Sequence, residues 1–391
     1  RCGQLEIVDL PEGLQEIGAK AFYGCGRLEI LDLPDGLQEI GEGAFEDCTS
    51  LLLIKIPSTI RVIPLKAFRN CGKLSEVTLS EGLQEIGEEA FHLCSSLERV
   101  NFPSTLKVIR HRAFSSLRLV PQSLHRYYGP IQSLNHYDKL VTACLSAIDL
   151  PDGLEYIGEG AFGGCKRQSN LRIPPLITEI PKRTFHLCEG MFSLELPEGV
   201  RIRNEVFSGC ASLRNLAGAK IQGADAFDNC VDLHQLFSSR TQIKDALMHR
   251  FDGLPIHKLL YYQPYHPTEA TLDQLGVSAT SAGQSGNQKD CLGMTPLHIL
   301  ACSTKQSLEL YQLLIEKYPE NLIAKDKWGG LPLLYALWGR APGEIVQLLT
   351  NSHKSNFPNH ELDWGEMVET LAYASAPLEA MKNLLDIQQT H

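Results

Sequence analysis

Nothing in this 391-residue chain approaches 18 consecutive apolar residues, so no transmembrane helix is expected. Cations are outnumbered, 36 Lys and Arg against 46 Asp and Glu, and the net charge of -10 disfavours nucleic acid or an anionic membrane as partner. No C-x-x-C, H-E-x-x-H or G-x-x-x-x-G-K occurs, which removes the common zinc and phosphate-binding motifs. Gly283-Gln284-Ser285-Gly286-Asn287 just misses G-x-S-x-G, and it lies in a Gly/Ser-rich stretch instead of a strand-to-helix elbow. The absence of any N-x-S/T sequon disfavours a glycosylated extracellular chain. No catalytic, metal or cofactor site is therefore expected. The chain starts at Arg1 inside a repeat, which reads as a fragment or an incomplete gene product.

Repetition is what the chain does have. Phe22, Phe45, Phe68, Phe91 and Phe114 are spaced at 23 residues, and Cys2, Cys25, Cys48, Cys71 and Cys94 keep the same step. Phe162 with Cys165 and Phe185 with Cys188 resume it, then Phe207 with Cys210 and Phe227 with Cys230 follow at shorter steps. In one unit, Leu31 and Leu33 alternate with Asp32, the period of two that marks a short strand with one buried face. Pro34, like Pro11, Pro57, Pro103, Pro151, Pro174 and Pro197, stops the strand because it has no ladder donor. Leu37 and Ile40 return to the core, Gly41 permits a tight bend, and Ala44-Phe45 pairs a small with a large residue. One unit cannot bury its apolar side; stacked at about 4.8 Å the units share a core. The expectation is a solenoid of parallel strands over 1–238.

The stretches Leu33-Pro34-Asp35-Gly36-Leu37-Gln38-Glu39-Ile40-Gly41 and Ala44-Phe45-Glu46-Asp47-Cys48 closely resemble the BspA-like, treponemal-type leucine-rich repeats. The resemblance covers roughly 60% of the chain and implies a curved solenoid that binds proteins or surface ligands. It breaks once, over the 48 residues between Phe114 and Phe162. Leu117 to Thr142, with Tyr127-Tyr128 and His136-Tyr137, reads either as a decayed repeat with a surface loop or as a binding insertion.

Beyond Thr241 the period disappears. Ile243 to Phe251 and Leu254 to Tyr262 read as short helices, and Ser278 to Asn287 has the composition of a linker. Asp290-Cys291-Leu292-Gly293-Met294-Thr295-Pro296-Leu297-His298 then looks like the ankyrin signature, with Thr295 as helix cap and Pro296 at the first helical position. That resemblance implies a local hydrogen bond for His298. Asp326 and Gly329 repeat Asp290 and Gly293 at a step of 36, but Leu331-Pro332-Leu333-Leu334 lacks both polar members. Leu313-Leu314 recurs as Leu348-Leu349 and Leu384-Leu385.

The fold class expected is a repeat solenoid, α+β overall: a β-rich leucine-rich repeat solenoid of about 23-residue turns, a connector with linker over 239–289, and an all-helical ankyrin-like stack over 290–391. Of the twelve cysteines, those at the repeat step read as a column of buried free thiols, consistent with a reducing compartment. His92 and His186 read as turn-surface residues four turns apart. One outward stripe runs Asp9, Asp32, Lys55, Thr78, Asn101, Asp149, Arg172, Glu195; a second runs Glu16, Glu39, Val62, Glu85, Val108, Tyr156, Glu179. Either they are solvated polar faces or they bind. For binding, Glu16, Glu39, Glu85, Tyr156 and Glu179, with Tyr127 and Tyr128 of the interruption, are the candidates, and a basic protein is the expected partner. The function expected is a non-catalytic, monomeric, cytoplasmic scaffold or adaptor. The alternatives are a cell-surface adhesin or receptor-type binding protein, or the regulatory arm of an enzyme.

Overall fold

A computed structural model of the chain describes residues 4–117, 145, 148–166, 170–266, 268–278, 286–373, 381–382 and 384–385. Each 23-residue unit makes one turn carrying two short strands. The first series comprises β1 (Ile7–Val8), β3 (Ile30–Leu31), β5 (Leu53–Ile56), β7 (Glu76–Leu79), β9 (Arg99–Asn101), β12 (Asn170–Arg172) and β14 (Ser193–Glu195). The second comprises β2 (Glu16–Ile17), β4 (Glu39–Ile40), β6 (Val62–Ile63), β8 (Glu85–Ile86), β10 (Val108–Ile109), β11 (Tyr156–Ile157), β13 (Glu179–Ile180), β15 (Arg201–Ile202) and β16 (Lys220–Ile221). The strand pairings among the described residues are parallel, and from β1 to β10 they follow the 23-residue step, as in Ile54↔Val77 and Glu16↔Glu39. The β-solenoid expected from the repeat is thus present.

A third ladder runs along the Ala-Phe positions. The amide of each Phe donates to the Ala carbonyl one turn ahead, from Phe22 to Ala44 at 2.8 Å through Phe91 to Ala113 at 2.8 Å. This registers the rings: Phe45 and Phe68 stack at 5.2 Å between centroids, and Phe68 and Phe91 at 5.3 Å. Such pairs add about 0.5–1.5 kcal/mol each beyond the burial of the rings. Residues in the left-handed region flank the Phe, among them Lys20, Gly43, Lys66, Glu89 and Arg112 on one side and Gly24, Asp47, Asn70 and Leu93 on the other.

The repeat cysteines from Cys25 to Cys230 that the structure describes form the expected column of buried free thiols. Most have a definite partner: Cys48 donates to Phe22 O at 3.2 Å, Cys71 to Phe45 O at 3.3 Å and Cys94 to Phe68 O at 3.1 Å. The pattern continues with Cys188 to Phe162 O, Cys210 to Phe185 O and Cys230 to Phe207 O. Each of these six thiols therefore ties its own turn to the carbonyl of the previous one. A residue of alanine size fills too little of this position, and a valine has no donor.

Three expectations need correction. Val108 pairs directly with Tyr156, and Phe114 stacks on Phe162 at 5.7 Å, so the long interval contributes one step to both stacks, although its length fits about two periods. His92 and His186 are accordingly three steps apart, not four. His92 is also buried, with Nδ1 2.7 Å from Ser115 O, and burial pushes its imidazole down to about 4. At Gly41 the need is close approach instead of a special bend: its φ is not positive, and a Cβ there would lie 2.3 Å from Ala19 N. Most of Leu117 to Thr142, including Tyr127 and Tyr128, lies outside the described residues.

After β16 the chain turns helical. Helix α1 (Val231–Leu236) closes the last turn, and α2 (Arg240–Met248), α3 (Pro255–Tyr261) and α4 (Thr268–Ser278) follow. Two helix pairs come next: α5 (Pro296–Ala301) with α6 (Leu308–Lys317), and α7 (Pro332–Trp338) with α8 (Gly343–Asn356); α9 is Trp364–Tyr373. Among the described residues no helix is long and apolar enough to cross a membrane.

Candidate protein-interaction surface

In the first strand series two side chains per turn point away from the core. One row runs Ile7, Ile30, Leu53, Glu76, Arg99, then Asn170, Ser193; the other is the stripe from Asp9 to Glu195. Through the early turns both rows are open. Ile7, Ile30 and Leu53 are 65%, 50% and 54% exposed, with Leu52 exposed beside them. In the later turns the same face is closed, and Ser193 and Glu195 are each 1% exposed. The reading of Glu195 as a solvated stripe residue is overturned, because helices from the C-terminal part lie over it.

The covering is specific. Thr304, in the α5–α6 loop, donates its amide to Glu195 Oε1 at 2.7 Å and its hydroxyl to Oε2 at 3.0 Å. The Tyr261 hydroxyl donates to Leu194 O at 2.6 Å and accepts from the amides of Leu196 and Ala217 at 3.3 and 3.2 Å. Trp338 stacks on Phe192 at 3.9 Å, and the Arg172 guanidinium lies 4.5 Å above the Tyr265 ring. Burial raises the Glu195 carboxyl to about 7 despite the Thr304 hydrogen bonds and nearby Arg172, which oppose the rise. Arg250, fully buried, donates to Asp290 Oδ2 at 2.7 Å, Asn215 Oδ1 at 2.6 Å and Leu216 O at 3.0 Å. It joins the last turn of the solenoid to the first turn of the helix pairs.

The helix pairs repeat their local chemistry. Asp290 Oδ1 accepts from the amides of Leu292 and Met294, both at 2.9 Å; Asp326 Oδ1 accepts from those of Trp328 and Gly330, at 2.9 and 2.8 Å. The Thr295 amide donates to His298 Nδ1 at 3.2 Å, leaving Nε2 to donate to Gly330 O at 3.1 Å in the next pair. Burial holds the His298 imidazole down at about 4, so it is neutral at pH 7. In the second pair Tyr335 donates to Asp326 Oδ2, supplying a polar contact where Thr and His are missing.

The second stripe is less acidic than its sequence suggests. Glu16 and Glu39 face each other across the β2–β4 register, both exposed, and among the described residues neither forms an ion pair. Glu85 is held by Arg110 at 2.7 and 3.2 Å, and Arg110 lies 6.0 Å above the ring of half-exposed Tyr156. Glu179 is clamped by both arms of Arg203 at 2.8 Å, which lowers its carboxyl below the ordinary value. Glu85 and Tyr156 thus meet through one arginine, while Glu16, Glu39 and Glu179 stand apart from that cluster. The row Ile7, Ile30, Leu53 escaped notice because apolar residues beside core leucines look like more core. Their 23-residue step at an outward phase was the available signal.

Among the described residues no group of three or more His, Cys, Asp or Glu converges to hold a metal ion. Burial raises the thiol of Cys48 to about 12 and those of Cys71, Cys210 and Cys302 well above the ordinary value, so these four stay protonated. A groove of about 500 Å³ between the Pro175 and Pro197 corners and α3 is lined by Leu259, Tyr262 and Tyr265, with Lys258 paired to Glu198 at 2.7 Å.

Comparison with known proteins agrees with the repeat. The family described as BspA type leucine rich repeat region matches six copies over residues 1–120 and 139–250. Among solved structures, a leucine-rich repeat protein of T. pallidum is 28% identical, with 53% of this chain and 74% of that one covered and a TM-score of 0.34. One from Bacteroides ovatus is 23% identical, covering 59% of this chain and 72% of that one, with a TM-score of 0.37. No curated protein sequence matches the chain. With its repeats matched over more than half its length, the chain belongs to the BspA-type leucine-rich repeat family.

Proposed function

We propose that the chain is a non-catalytic protein-interaction scaffold that binds through the open early turns of its first strand series. One observation carries this reading: the same outward face is covered by the protein's own helices at Ser193 and Glu195 but open at Ile30 and Leu53. Solenoids bind through such continuous surfaces, and paired helices already occupy one end of this one. The helix pairs support a degenerate ankyrin-type stack as the second module of the scaffold. Their support is the 36-residue step, the repeated Asp turn and the Thr295–His298 cap. The division into 1–238, 239–289 and 290–391, a monomeric state and a cytoplasmic location belong to the same proposal, the last supported by the reduced, buried thiols.

The test is affinity capture with the whole chain, comparing wild type with Ile30→Lys/Leu53→Lys and with a control, Glu198→Lys, on a different face. Loss of the same captured proteins with the first variant alone is expected. Capture that ignores both variants refutes binding through this face.

A further inference from the structure

The charge of the chain is concentrated where its face is open. Between residues 4 and 54 the acidic side chains are Glu6, Asp9, Glu12, Glu16, Glu29, Asp32, Asp35, Glu39, Glu42, Glu46 and Asp47, against Lys20 and Arg27 alone. That is eleven against two, a net -9 of the chain's -10. Within this region Ile7 pairs with Ile30, and Leu53 continues the row one repeat later. Exposed Glu6 and Glu29 border the row on one side, and exposed Asp9 and Asp32 border it on the other. At Ile7 and Ile30 the apolar ridge is therefore walled by carboxylates, with no ion pair to any of these four among the described residues, while at Leu53 the flanking positions are exposed Leu52 and Lys55.

Resting on the reading of this face as the binding surface, we infer that its partner is a basic amphipathic helix of another protein, laid along the solenoid axis. Successive turns of the solenoid are about 4.8 Å apart, close to the 5.4 Å pitch of an α-helix, so apolar residues at i, i+4 and i+7 meet Ile7, Ile30 and Leu53 in step. Lys or Arg on the flanks of that helix reaches the carboxylates beside Ile7 and Ile30, and its end over Leu53 and Lys55 carries no cation. The intramolecular interface continues this surface: α3 and α7 already cover its later turns through Tyr261 and Trp338. A second copy of the chain is a poor match, since its own early turns are equally acidic.

The probe is a fluorescent 18-residue peptide of Leu and Lys with leucines at helical spacing, titrated into the full chain and read by anisotropy. A scrambled peptide of identical composition is the control for bulk charge attraction. Expected are at least tenfold tighter binding of the patterned peptide, at least tenfold weakening by Ile30→Ser/Leu53→Ser, and similar weakening by Glu6→Gln/Asp9→Asn/Glu29→Gln/Asp32→Asn. The four carboxylates are exposed, so the second variant keeps the inference testable if the first folds poorly. Equal binding of the scrambled peptide, or no response to either variant in a folded chain, overturns it. So does self-association of the wild-type chain, detected by sedimentation, that Ile30→Ser/Leu53→Ser abolishes. Face-dependent capture of proteins without affinity for the peptide overturns the helix while leaving the scaffold reading intact.

Discussion

Arg250 and Asp290, forty residues apart, form an ion pair at 2.7 Å with both side chains fully buried. The arginine also donates to Asn215 and Leu216 of the solenoid and to the Met294 sulfur, and the other oxygen of the aspartate accepts from the turn before α5. Neither half of the molecule can move without stranding a charge.

Arg250→Met is accordingly expected to destabilise the protein by about 3–5 kcal/mol, because it leaves Asp290 buried without its counterion. Urea unfolding followed by tryptophan fluorescence reads this well, since Trp328 and Trp338 both lie at or near the junction. A midpoint equal to that of the wild type would show that the pair contributes nothing.

Glu195 makes the junction sensitive to pH. Its carboxyl is raised from 4.5 to about 7, so between those values the folded state holds a proton that the unfolded state has lost. Stability therefore declines as pH rises through that window. Glu195→Gln removes the titration and keeps an acceptor for the Thr304 amide. The difference in melting temperature between variant and wild type should grow in the variant's favour from pH 5 to pH 7.5. A difference that stays constant over that range contradicts the assignment.

The thiol column should be chemically silent in the native state. Burial raises the Cys48 thiol to about 12 and the Cys71 and Cys210 thiols well above the ordinary value. Under native conditions an aromatic disulfide reagent should label these three no faster than the chain unfolds, and promptly in denaturant. Rapid native labelling at Cys71, located by peptide mapping, would falsify the packed column.

Lys20 sits at φ 57° where the next turn has Gly43 at φ 59°. Lys20→Gly should stabilise the protein by about 0.5–1 kcal/mol, and Gly43→Ala should destabilise it by a similar amount. Paired urea titrations test the sign of each; effects of the same sign would rule out the shared left-handed conformation.

Much of the solenoid was legible because a period of 23 leaves one solution for residues such as Leu31, Leu37, Ile40 and Phe45, all buried. The binding surface was less so. Glu16 and Glu85 look alike in the sequence, yet only Glu85 has an arginine, 25 residues away, lying against it. Glu195 looks like Asp9, and nothing in its own repeat announces the helices that cover it. The helix Thr268–Ser278 leaves little trace in the sequence, since its apolar residues are few.

The sequence by itself determined the solenoid, the strand at Leu31, the return of Leu37 and Ile40 to the core and the column of cysteines. Those properties follow from local spacing, which acts identically in every turn. Only the tertiary structure decided which turns remain open, which carboxylates are neutralised, and what each thiol bonds to. These depend on pairs such as Thr304 with Glu195 and Arg250 with Asp290, separated by 109 and 40 residues, and so on desolvation that no single repeat can specify.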